Sequence, residues 1–157
     1  MRVVSKKKLN LMIELALRDT GLHRQMPGSA INLVFVSKHQ IRRLNQEYLN
    51  HAGPTDVIAF DLRNGEALAP PAGEKPVAAE IYICPQIATE AANRYQTSPQ
   101  EEIALYIVHG LLHLAGYRDH SLERQREMRA AEQRIMARLK AEFKPEEIIA
   151  LDYKTIP

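Results

Sequence analysis

His109-Gly110-Leu111-Leu112-His113-Leu114-Ala115-Gly116-Tyr117-Arg118-Asp119-His120 is the stretch that decides how this 157-residue chain is read. Its two leading histidines stand four residues apart in an apolar run. On a helix, residues i and i+4 share a face, offset by only about 40° at ~3.6 residues per turn. The two imidazoles can therefore close on one cation. Gly116 stands where a helix can stop, because glycine takes the left-handed cap conformation without steric cost. The chain can then turn back and offer Asp119 or His120 to the same ion. Three protein ligands with one position left open make a catalytic rather than a structural zinc site. Solvation favours the metal over a pair of ordinary core histidines. The helix is apolar on nearly every side, so neutral rings within it need partners. A cation, with an acceptor on each ring's other nitrogen, satisfies both rings together.

The rest of the chain supplies a scaffold for that helix. A length of 157 residues supports one domain, 1–157, with a sizeable core, and 45% hydrophobic residues is ordinary for a globular protein. A net charge of +2 permits a polyanionic partner without requiring one. Cys84, the only cysteine, rules out an internal disulfide and reads as a buried strand thiol. The basic start (Lys6, Lys7, Lys8) is followed by a segment broken by Asn10 and Glu14, so it reads as an amphipathic helix rather than a signal peptide. No apolar run reaches the roughly 18 residues that cross a bilayer, so a cytoplasmic protein without a membrane partner is expected.

Taken in order, the sequence predicts a helix from Ser5 to Thr20 and a strand over Ala30–Val36. A helix capped by Ser37 follows, with Ile41, Leu44 and Tyr48 at helical spacing. Asn50–Pro54 is a turn. Strands at Thr55–Leu62 and Val77–Cys84 flank a Pro/Gly/Ala-rich stretch, Arg63–Pro76, and most simply pair antiparallel. The stretch itself reads as an inserted loop with little chemistry beyond Glu66, Glu74 and Lys75. Pro85 opens a helix to about Gln96, with Ile87, Ala91 and Tyr95 on one side. Ser98-Pro99-Gln100-Glu101 is a capping box that starts the histidine helix. That helix is apolar all round and so should run buried beneath the sheet. Ser121 starts a last helix with Leu122, Met128, Ala131, Ile135 and Leu139 toward the core. Its other face mixes Arg124, Arg126, Arg129, Arg134 and Arg138 with Glu123, Glu127 and Glu132, a pattern usual for a solvated surface. The expected fold class is α+β: a single compact domain, a small mixed β-sheet packed on helices, and a buried central helix carrying the metal-binding histidines, zincin-like.

The spacing His-x3-His-x2-Gly-x2-Asp matches the zinc frame of metzincin-type peptidases, which need a glutamate directly after the first histidine as general base. Gly110 occupies that place, which argues against a zincin-like metalloprotease. Metal-assisted hydrolysis remains, and a phosphodiester suits it because the ion can neutralise charge developing on phosphoryl oxygens. Two imidazoles and a carboxylate also suit iron or other divalent ions.

The nine residues His109–Tyr117, with Thr55-Asp56-Val57-Ile58-Ala59-Phe60 and Glu80-Ile81-Tyr82-Ile83 upstream in that order, resemble the YbeY family of bacterial endoribonucleases over roughly Ile31–Met136. The resemblance implies a compact α+β fold and one Zn2+ in a cleft. It also implies hydrolysis of single-stranded RNA, maturation of the 3′ end of small-subunit (16S) ribosomal RNA, and ribosome quality control. Single-stranded or ribosomal RNA and the small ribosomal subunit are the partners it implies.

By motif match, His109 and His113 are the helix-borne ligands. The family usually reads Gly-Tyr-Asp-His, with a histidine three residues after the glycine. Here Asp119 holds that register and His120 lies one beyond, which makes Asp119 the expected third ligand. His120, as a proton shuttle at the cleft edge, and Arg118 are the catalytic candidates. Leu49 stands where the family commonly has an arginine thought to hold the RNA backbone, and His51 and Arg118 are the candidates to replace its charge. Thr55 and Asp56 read as hydrogen-bonding groups at a strand start. A non-enzymatic ribosome assembly factor with a structural metal is the alternative of a different class.

Overall fold

The computed structural model describes residues 2–53, 55–65 and 70–150. Pro54 and Glu66, both placed in loops above, lie outside the described residues.

A three-stranded sheet carries the architecture: β2 (Ala30–Phe35), β4 (Val77–Ile83) and β3 (Val57–Asp61), in that spatial order. β2 runs parallel to β4, with Val34 opposite Tyr82, and β3 runs antiparallel to it, with Ala59 opposite Ile81. The sheet is therefore mixed, and β3 and β4 form the antiparallel pair expected around the 63–76 stretch. A second pair joins the two ends of the fold: β1 (Arg2–Val3) lies antiparallel to β5 (Ile149–Ala150). Two-residue strands carry too little pattern to be seen in a sequence.

Alternation along each strand sorts the side chains into two cores. Val57, Ala59, Ala79, Ile81 and Ile83 face the larger one, together with Ile31, Leu33 and Phe35. Ile58, Phe60 and Tyr82 face a smaller one, closed by Ile41 and Leu44 from α3 (Lys38–Leu49) and by Cys84. Cys84 is wholly buried just past β4, and burial pushes its thiol upward from its ordinary pKa. On the larger core lie α1 (Lys6–Asp19), the single turn α2 (Leu22–Gln25) and α4 (Pro85–Tyr95). With them pack the histidine helix α5 (Pro99–Leu114) and the long α6 (Leu122–Glu142).

α5 is the buried rod of the domain, as its apolar circumference requires. Ile103, Ile107, Val108, Leu111 and Leu112 are each fully buried. Its start is the expected capping box, with the Ser98 hydroxyl accepting from the Glu101 amide and the Glu101 carboxylate accepting from the Ser98 amide. Gly110 lets the helix lie close on the sheet. A Cβ added there would stand 3.1 Å from Ile81 Cγ2 and 3.6 Å from the Ala59 Cβ.

One expectation about faces needs correction. Leu122 does not reach the core; it is 74% exposed, because the first turn of α6 projects beyond the helix it packs on and only Met128, Ala131, Ile135 and Leu139 are buried. On α4 the buried positions are Ala88 and Ala92, small residues that suit the close approach of α5, while Tyr95 is 64% exposed.

Candidate metal centre

The site forms where α5 stops. Gly116, at φ 97°, ends the helix with paired reverse bonds: its own amide donates to His113 O, and the Tyr117 amide donates to Leu112 O. This is the Schellman arrangement, and its left-handed residue sends the chain back over the last turn. Asp119 returns in this way to the two imidazoles. Ligand atoms of His109, His113 and Asp119 all lie within 4.8 Å of one another. The loop is held there by Gln125, whose Nε2 donates to Asp119 O at 2.9 Å, and by Ser121, which caps α6.

Each ring has its second nitrogen engaged, as the solvation argument required. Nδ1 of His109 meets Glu132 Oε1 at 2.5 Å, and Nδ1 of His113 meets the Tyr117 carbonyl at 3.3 Å. The two Nε2 atoms then face each other across 2.9 Å. If both Nδ1 atoms carry the protons they donate, two lone pairs point at one spot. A shared proton or a cation resolves that conflict, so the donor set fits a divalent ion. The protonation tendencies agree. Burial disfavours a charged His109, yet the hydrogen bond and charge of Glu132, with Asp56 and Asp119 beyond, raise its pKa overall. Burial and the neighbouring His109 lower that of His113.

Glu132 went unrecognised in the sequence, where it was counted with the solvated charges of α6. Its spacing held the signal. Glu132 lies four residues past Met128 and one past Ala131, on the edge of the buried stripe rather than opposite it.

The centre sits in an open cleft of about 860 Å3. Asp56 lines it beside His109, its Oδ1 accepting from the Val57 amide and the Thr55 hydroxyl, the strand-start bonds expected of this pair. Leu49 and His51 both line the cleft. Arg118 lines it too, with Nη1 donating to the carbonyls of His113 and Tyr117. His120 is exposed and is not part of the three-residue cluster. Arg63, at the head of the 63–76 stretch and not among the residues (Glu66, Glu74, Lys75) that the sequence singles out there, also lines the cleft. It forks onto Asp61 (2.8 and 2.5 Å) and also donates to Gln25 Oε1 and Leu114 O. With its donors so engaged, Arg63 ties the end of β3 to the end of α5.

Comparison with known proteins identifies the family. A family model described as Endoribonuclease YbeY matches residues 2–140. A protein of Salinibacter ruber named Endoribonuclease YbeY is 39% identical over 106 residues, 68% of each chain. One of the same name from Thermotoga petrophila is 39% identical over 93 residues, which span 59% of this chain and 55% of the relative. The solution structure of TM1509 from Thermotoga maritima superposes with a TM-score of 0.54 at 26% identity, covering 88% of this chain and 85% of that one. With a family model spanning most of its length and the histidine helix, glycine stop and cleft built as described, the chain belongs to the Endoribonuclease YbeY family.

Proposed function

We propose that this chain is one metal-dependent hydrolase domain, a zinc-dependent endoribonuclease that cuts single-stranded RNA. We propose further that it acts on ribosomal RNA at the 3′ end of the small-subunit species, and in quality control of ribosomes. The observation that carries the reading is the convergence of His109, His113 and Asp119 within 4.8 Å in an open cleft of about 860 Å3. Family membership supplies the substrate class.

A bound divalent ion supplies Lewis-acid charge for a phosphoryl oxygen and makes water a stronger acid. The protein's part is to hold and to orient. His109 and His113 present their Nε2 atoms, each ring fixed by its other nitrogen, and Asp119 closes the set with a carboxylate on the solvent side. Asp56 and Arg118 line the same cleft; in this reading Asp56 accepts a proton and Arg118 meets a phosphate. A structural metal fits less well, because Asp119 is exposed and the cluster opens on the cleft. Proteolysis lacks the glutamate that the peptidase frame carries after its first histidine: Gly110 stands in that place, and a side chain there would meet Ile81 and Ala59.

The test is to incubate the purified protein with unstructured and duplex RNA, with and without chelator. The expected result is chelator-sensitive cleavage of the unstructured RNA that His113→Ala abolishes. Cleavage that survives both treatments contradicts the reading.

A further inference from the structure

The metal cleft opens onto two smaller hollows whose charges differ. One, about 470 Å3, shares Asp56, His109 and Asp119 with the cleft and is also lined by Glu132, Tyr95 and Arg129. Three carboxylates there face one guanidinium. The other, about 400 Å3, meets the cleft at Ala115 and Gly116 and is walled by Arg124, Glu127 and Arg134. Two guanidinium groups there face one carboxylate, and Arg118, next in sequence to the lining Tyr117, stands in the adjoining cleft.

The geometry of α6 makes the second hollow a track. Residues 124, 127, 131 and 134 follow one another at intervals of three or four, so they form a single stripe along about 15 Å of helix. Ala131 sits in that stripe as a small, buried residue. Arg134 makes no ion pair among the described residues. Arg124 has only a 3.5 Å contact with Glu127 between two exposed side chains, which holds it weakly. At the crossing, a Cβ on Gly116 would meet nothing within 4 Å, so the passage is open.

We propose that single-stranded RNA leaves the metal cleft over Gly116 and lies along this stripe, its phosphates on Arg124 and Arg134 with Arg118 at the crossing. This rests on the endoribonuclease reading and adds the strand's path. The polyanion takes the hollow in which two guanidinium groups outnumber the one carboxylate, away from the carboxylates engaged at the ion. Each phosphate contact to a single strand steepens the salt dependence of binding by about 0.7 in log K against log salt.

The experiment measures binding of a fluorescently labelled 12-nucleotide oligouridine to the whole metal-loaded protein by anisotropy across a potassium chloride series. Arg124→Gln/Arg134→Gln is expected to flatten the salt slope by about 1.4, from two lost contacts. It should also weaken binding several-fold and raise KM for the oligonucleotide more than it lowers kcat, with metal content unchanged. Arg126→Gln and Arg129→Gln should leave the slope as in the wild type. A slope changed by Arg129→Gln and not by the double variant overturns the path in favour of the other hollow. No binding by the wild type, or a double variant that binds as the wild type does, overturns it outright. A slope that falls as expected in a protein that cuts no RNA supports the track and removes the endoribonuclease reading instead.

Discussion

Glu132 Oε1 stands 2.5 Å from Nδ1 of His109, joining the last long helix to the histidine helix at the candidate metal centre. Both side chains are largely shielded, 16% and 26% exposed, so the bond is well placed to fix which nitrogen of His109 faces the cleft. Carboxylates behind metal-bound histidines typically contribute 10–100-fold, roughly, in metal affinity. Glu132→Ala should lose affinity on that order in a competition titration against a chelating dye. Glu132→Gln, which keeps an acceptor oxygen, should lose less. Wild-type affinity in Glu132→Ala would show that the bond does not orient the ring.

Gly110 sets a second expectation. Alanine is the better helix former by about 1 kcal/mol, but its methyl would press on the fully buried Ile81 at 3.1 and 3.3 Å. Overpacking a filled core costs about 1–3 kcal/mol. Gly110→Ala should be destabilised by up to about 2 kcal/mol net, read as a lower urea midpoint with an unchanged m value. Gly110→Glu, the residue a peptidase would need, should be far less stable, because its side chain would be forced against the fully buried Ile81 and against Ala59.

The Arg63–Asp61 fork gives a pH dependence with a definite sign. The hydrogen bond from Arg63 holds the Asp61 carboxyl below its ordinary 3.8, outweighing the opposing effect of burial. A depressed carboxylate pKa stabilises the fold above the ordinary value, and the contribution is lost as pH falls through the folded-state value. The side chains are 23% and 37% exposed, so solvent screening holds the pair to about 1 kcal/mol or less. The melting-temperature gap between wild type and Asp61→Asn should be constant from pH 7 to about 5 and close below about pH 4. A gap that persists in acid would assign the effect to packing.

Asn45 provides a loop test. It is buried, and its Nδ2 donates to Gly53 O at 2.9 Å, while its backbone carbonyl accepts from Asn50 and His51. Asn45→Ala should cost about 1–3 kcal/mol in thermal or urea unfolding, because the Gly53 carbonyl loses its donor. A variant as stable as the wild type would mean that residues 50–53 hold their place without that bond.

The parts legible in the sequence share a physical cause: strong local signals. Ser98 and Glu101 had to start a helix, Gly116 had to stop it, and the i,i+4 histidines had to share a face whatever the tertiary context. The less legible parts depend on which elements meet. Glu132 becomes an imidazole's partner only because α6 crosses α5 there. Arg63 becomes a cleft residue only because β3 ends beside the last turn of α5. Leu122 fails to be buried because α5 is shorter than the helix lying on it. The β1–β5 pair, made of residues far apart in the chain, has no local pattern at all.

The account rests on one ion shared by His109, His113 and Asp119, and metal stoichiometry tests it most directly. Elemental analysis after zinc loading and desalting should give one equivalent for the wild type and for His120→Ala, and little or none for His113→Ala and Asp119→Ala. Wild-type protein that retains no ion, or an ion lost from His120→Ala and kept by Asp119→Ala, would contradict it.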